Sequence, residues 1–104
     1  MLQVFLHVAV FGREPQTAIE APRFATSSYP GSCEPYVYQP DERRIERRLA
    51  AQVGDALADK GHKVVTWPDW TWKAGGVCTI TSDRQSGVCA AGADPRRTSH
   101  AIGW

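Results

Sequence analysis

The sequence predicts an α+β fold in which two or three helices pack on a small, mostly antiparallel sheet. Three observations point there. Apolar residues recur at helical spacing in two separate stretches, one at the start of the chain and one near its middle. Short runs rich in β-branched residues follow one another through the last third, separated by turn residues. The 104 residues, 42% of them apolar, suffice for one modest core. A chain of this size buries only about 60 to 70% of its unfolded surface.

The first stretch, MLQVFLHVAVF, places Leu2, Phe5, Leu6 and Ala9 on one helical face and Val4, Val8 and Phe11 on another, so the helix is apolar nearly all round. Such a helix needs cover on several sides. The rest of so short a chain would struggle to supply it, and the expectation follows that further protein normally precedes Met1. The run is too short to span a bilayer, which takes about 20 residues. It also lacks the basic leader and small-residue cleavage site of a secretory signal, so it reads as core.

Gly12 stops this helix. EPQTAIEAP reads as a second, short helix with Pro15 at its first position and Pro22 just past its end. RFATSSYPGSCEPYVYQP, punctuated by proline and glycine, reads as extended segments and turns. In DERRIERRLAAQVGDALADKGH the residues Leu49, Val53 and Leu57, with Ile45 one turn earlier, form an apolar stripe, and Gly61 sits where a helix C-cap wants it. This predicts a helix over 49–60. KVVTW then reads as a strand, PDWTWKAGG as an aromatic loop, VCTITSD as a strand and GVCAAG as its hairpin partner across RQSG. The closing GADPRRTSHAIGW, with its fixed Pro95, paired arginines and terminal Trp104, reads as packed and not as a loose tail.

Twelve Lys and Arg against eleven Asp and Glu leave a formal charge of +1, so no global field directs the protein to nucleic acid or an anionic membrane. In ERRIERR the interleaved Glu42 and Glu46 nearly neutralise Arg43, Arg44, Arg47 and Arg48, which predicts a solvated, salt-bridged face. WPDWTWK brings Trp67, Trp70 and Trp72 beside Lys73; such clusters more often complete a core or an interface than stack bases or sugars. Cys33, Cys78 and Cys89 are odd in number and never in a CxxC pair, and they read as buried or half-buried free thiols of a reducing, cytoplasmic-type compartment. His7, His62 and His100 stand apart from any carboxylate or cysteine at ligand spacing. No GxSxG, HExxH, Walker loop or GxGxxG is present, and no cofactor or metal is implied.

Three blocks, LQVFLHVAVFGREPQTAIEAPRF, GHKVVTWPDWTWKAGGVCTI and GVCAAGADPRRTSHAIGW, together resemble the C-terminal part of the small subunit of gamma-glutamyltransferases, in the same order and at similar spacing from residue 1 to residue 104. The resemblance implies part of a layered αββα sandwich of the N-terminal-nucleophile hydrolase type. In that family a self-cleaved precursor frees a threonine whose amine and hydroxyl act as base and nucleophile in moving a gamma-glutamyl group to water or to an amino acid. It further implies that Asp94 and Arg96 fix the ADPRR turn by charge-assisted hydrogen bonds, with Trp104 closing against the body. The family's nucleophilic threonine, its glutamyl-binding residues and its oxyanion glycines lie upstream of the matched blocks. Thr17, Thr26, Thr66, Thr71, Thr79, Thr81 and Thr98 lack the flanking pattern, so no catalytic residue is assigned. Two positions depart from the family: Glu46, Arg47 and Arg48 leave out a glycine that relatives place between Glu and Arg, and His7 stands where Asn is common.

The leading expectation is therefore a C-terminal portion of a gamma-glutamyltransferase-like domain, a single packing unit without its own active site, whose partner is the rest of that protein. The alternative is a stand-alone small domain that self-associates or binds a larger protein through the apolar first helix and the Trp loop. A metal or redox module built on the three cysteines and a histidine is the third.

Overall fold

The computed structural model describes residues 1–103; the expectation for Trp104 lies outside the described residues. The chain divides into two compact units, Met1–Ala21 with Gly75–Trp104 and Pro22–Ala74.

The first unit holds two helices and a hairpin: α1 (Leu2–Ala9), α2 (Pro15–Glu20) and, at the other end of the sequence, the two strands Cys78–Ser82 and Cys89–Ala93. Helix α2 opens on Pro15, whose missing amide costs nothing at that position. It ends where Ala21 turns extended ahead of Pro22, as residues before proline prefer. The core of this unit is small, with Val4 of α1 meeting Ala18 and Ile19 of α2 and with Val8 and Val77 packed against them. Gly92 makes the contact between hairpin and helix possible. A Cβ there would stand 2.9 Å from the Ile19 Cδ1 and 3.0 Å from the backbone of Pro15 and Gln16.

The second unit contains β1 (Phe24–Thr26), β2 (Glu42–Glu46), α3 (Arg47–Asp59), β3 (Lys63–Trp67) and a single 3-10 turn at Trp72–Ala74. The hairpin strands of the first unit are accordingly β4 and β5. Strand β2 lies in the middle of a three-stranded sheet, antiparallel to β1 with Phe24 opposite Ile45, and parallel to β3 with Arg44 opposite Val65. Parallel neighbours need a crossover, and α3 is that crossover, giving a βαβ unit. The helix ends at the expected glycine: Gly61, at φ +88°, takes the left-handed conformation that closes a C-terminus without a Cβ penalty. Strands β4 and β5 form a separate antiparallel pair, with Ile80 opposite Ala91.

Both early helices, β3, β4, β5 and the hairpin turn fall where the periodicity puts them. The ERRIERR segment does not. Instead of a solvated face it supplies the central strand, with Glu42, Ile45 and Glu46 buried, and α3 begins at Arg47 and not at residue 49. The missing glycine leaves that strand intact, since it runs to Glu46 and passes directly into the helix. The cysteines also depart from expectation. All three are free but exposed, because Cys78 and Cys89 lie on the outer side of the hairpin and Cys33 in the long loop after β1.

Candidate functional site

The ADPRR turn is built around one buried carboxylate. Asp94 follows β5 directly and is 1% exposed. Its Oδ2 accepts the Val77 amide at 3.0 Å, and its Oδ1 accepts the Arg96 amide at 3.1 Å and the Arg96 Nη1 at 3.2 Å. The buried Arg96 guanidinium then donates from Nη1 to the Ile19 carbonyl and from Nη2 to the Ala21 carbonyl, both at 3.0 Å. Those carbonyls lie at the C-terminal end of α2, where helical C=O groups lack intrahelical partners and attract a cation. The Ser99 hydroxyl closes the turn onto the Asp94 carbonyl at 2.9 Å. A single Asp–Arg pair thus joins the start of β4, the end of β5 and the end of α2.

A second buried carboxylate organises the other unit. Glu46, fully buried, accepts the Arg23 amide at 3.0 Å and the Arg48 Nη2 at 3.3 Å, while its own amide donates to the Arg23 carbonyl. At the other end of β2, four residues back on the same face, Glu42 accepts the Arg44 Nε at 2.6 Å and faces the Lys63 Nζ at 3.5 Å. The Arg44 hydrogen bond, working against burial and helped by the charges of Arg44 and Lys63, holds the Glu42 carboxyl below the usual glutamate range. Asp69, from the loop after β3, caps α3 from outside: its Oδ1 accepts the Arg48 amide at 2.9 Å and its Oδ2 accepts the Arg47 guanidinium. Burial pulls the Asp69 carboxyl upward, but these hydrogen bonds and the two arginine charges outweigh it and set it below the ordinary value. Of the loop tryptophans, Trp70 lies under the Arg48 guanidinium at 3.8 Å in a cation–π contact, and Trp72 is exposed.

An apolar groove of the first unit, about 480 Å³ in volume, lies between α1 and β4. It leaves Leu2, Phe5 and Ile80 exposed. A smaller apolar groove, about 250 Å³, lies in the second unit between Leu49, Val53 and Leu57 of α3 and Phe24 and Ile45 of the sheet. Neither has the convergent acid, base and nucleophile of a hydrolytic centre. The threonines are scattered: Thr81 donates to the Ala90 carbonyl within the hairpin, Thr26 bonds Ser28 and Arg43, and Thr66 and Thr98 are exposed. Among the described residues no group of His, Cys, Asp or Glu is arranged to hold a metal ion, and no helix is long and apolar enough to cross a membrane. Sequence reasoning missed the buried roles of Glu42 and Glu46 and the capping role of the half-buried Asp69, because their partners Arg23, Lys63 and Arg48 lie some twenty residues away along the chain.

Comparison with known families gives a match to the gamma-glutamyltranspeptidase model over residues 1–104. The chain belongs to the gamma-glutamyltranspeptidase family. Among solved structures of this type, LmbA2991 is 33% identical with a TM-score of 0.84, over 91% of this chain and 17% of its own. A cephalosporin acylase from Bacillus halodurans is 26% identical with a TM-score of 0.80, over 99% of this chain and 17% of its own. A variant of the Helicobacter pylori gamma-glutamyltranspeptidase is 29% identical with a TM-score of 0.66, over 93% and 46%. No curated protein matches. This gamma-glutamyltranspeptidase family member therefore spans between a sixth and a half of those structural relatives. Its α+β fold is that of N-terminal-nucleophile hydrolases.

Two predictions follow from the geometry. Asp94→Ala leaves a buried guanidinium and a buried amide uncompensated and is expected to destabilise the protein by about 3 to 5 kcal/mol in urea unfolding. Asp94→Asn, which keeps one acceptor oxygen, is expected to cost less; equal losses would show that the carboxylate is not the organising group. The second concerns acid. Burial, with Arg13 nearby, holds the His7 pKa below its ordinary 6.5, so the unfolded chain takes up a proton before the folded one. Stability is then full above about pH 6.5 and begins to fall as the pH drops below it, with a second loss below pH 4.5 as Glu42 protonates. In His7→Asn the first loss is expected to vanish and the second to remain, as read from Tm against pH.

Proposed function

We propose that this chain forms the C-terminal portion of a gamma-glutamyltranspeptidase-type catalytic domain and contributes sheet and helix packing, not the reacting groups. The observation that carries this reading is the contrast between a family match from the first residue to the last and a span of only 17% of the LmbA2991 chain. The whole protein would transfer or hydrolyse gamma-glutamyl groups from glutathione or related gamma-glutamyl amides, through an N-terminal threonine carried by the rest of the protein. The likeness to a cephalosporin acylase makes acyl amides a further substrate class to try. The exposed Leu2, Phe5 and Phe11 favour a second reading, in which the chain acts alone and associates with itself or a larger protein through α1.

The test is a chimera in which the matching segment of the Bacillus halodurans acylase is replaced by these 104 residues. The expected outcome is an active, cooperatively folding chimera and an isolated chain without turnover on gamma-glutamyl or acyl amides. Turnover by the isolated chain, lost on substituting one of its own residues, would overturn the proposal.

A further inference from the structure

The second unit carries an apolar groove with one cation in its wall, and the sheet register accounts for both. Phe24 lies opposite Ile45 and Thr26 opposite Arg43 across the antiparallel pair, while Val64 lies opposite Arg43 across the parallel one. Side chains alternate along a strand, so these five share one face of the sheet. Helix α3 covers that face on its β3 side, where a Cβ at Gly54 would touch the Val64 Cγ1 at 4.0 Å. Toward β1 the cover thins and Phe24 is exposed. There Leu49, Val53 and Leu57 of α3 enclose, with Phe24, Ile45 and Arg43, the groove of about 250 Å³.

Arg43 differs from the other arginines of ERRIERR in its partners. Arg44 pairs with Glu42, Arg47 with Asp69 and Arg48 with Glu46. Among the described residues, no carboxylate meets Arg43. Its Nη1 donates to the Thr26 and Ser28 hydroxyls, at 3.0 and 2.8 Å, and to the Glu42 carbonyl at 3.1 Å. These bonds anchor one end of the guanidinium and leave its Nε and Nη2 donors, the parallel pair that grips a carboxylate with two hydrogen bonds. Arg44 and Lys63 belong to the opposite face and are held there by Glu42, so the groove offers one positive charge and balances one negative charge. Five apolar side chains with a single orienting polar group have the make-up of a small-molecule site. A volume just under the usual range of about 300 to 1,000 Å³ restricts the tail to a short one.

We infer that this groove binds a monocarboxylate with a short aliphatic tail, of the class of short- and medium-chain fatty acids. The Arg43 guanidinium takes the carboxylate, and Leu49, Val53 and Leu57 take the tail. The site is separate from the gamma-glutamyl chemistry proposed above and does not depend on it.

Octanoate is the test probe, with octanol and octylammonium as neutral and cationic molecules of the same tail. Methyl NMR of the 104-residue chain is expected to show saturable shifts at Leu49, Val53 and Leu57 with octanoate, and binding of the other two weaker by about 10-fold or more. Arg43→Gln is expected to bring octanoate down to the affinity of octanol, and Arg43→Lys to restore part of the difference. Should Arg43→Gln fail to fold, the three probes on the unchanged chain decide the matter without it. No saturable shift, equal affinity for octanoate and octylammonium, or shifts confined to α1 and β4 would each overturn the inference. So would octanoate shifts that occur in the isolated chain but vanish in a folded, active acylase chimera, since another segment of the whole protein would then fill the groove. All four results leave the proposed function standing, whereas turnover by the isolated chain would overturn that function and leave this site untouched.

Discussion

In the first unit the hairpin and the end of α2 are tied together through the Asp94 carboxylate. Two oxygens gather the Val77 amide just before β4, the turn after β5 and a guanidinium that reaches the last carbonyls of α2. These segments lie at opposite ends of the sequence, separated by the whole second unit, and the apolar contact joining them is limited to Val4, Ala18, Ile19 and a few half-buried neighbours. Burying two charges costs several kcal/mol per ion unless they are paired and their remaining hydrogen-bonding capacity is met. Here both conditions hold, so the pair acts as a fixed joint where the core is too small to define one.

The second unit solves its problem in the same way. Its central strand carries two buried glutamates, an arrangement that would be prohibitive without partners. Glu46 borrows the Arg23 amide just before β1 and a guanidinium from the first turn of α3, and Glu42 takes Arg44 and Lys63. Asp69 then supplies the helix cap that the residue before α3 does not provide. Asp94, Glu46 and Asp69 each accept backbone amides and so serve as connectors between segments.

The elements set by local chemistry were legible in the sequence. Proline at the first position of α2, glycine after α3 and the RQSG turn each act within a few residues, and the apolar periodicity of α1 and α3 is plain. The turn at Asp94 and Arg96 was legible only through family resemblance. Strand β2 was not legible, because alternating charges at ERRIERR look like a solvated face until Arg23 and Lys63 are brought beside them by the fold. The cysteines misled for a related reason: a small, soft side chain normally signals burial, but Cys78 and Cys89 lie on an outward hairpin face that the described residues leave exposed. The sequence offered no catalytic residue, since the resemblance places the family's threonine, glutamyl-binding and oxyanion motifs upstream of the matched blocks.

The dependence of the first unit on its buried ion pair is open to direct measurement by a double-mutant cycle on Asp94→Ala and Arg96→Met in urea unfolding. The account predicts a coupling energy of about 1.5 to 3 kcal/mol between the two substitutions, the upper part of the range of about 0.5 to 3 kcal/mol expected of groups that share one network. Losses that simply add, to within about 0.5 kcal/mol, would mean that the two side chains act independently and would contradict it.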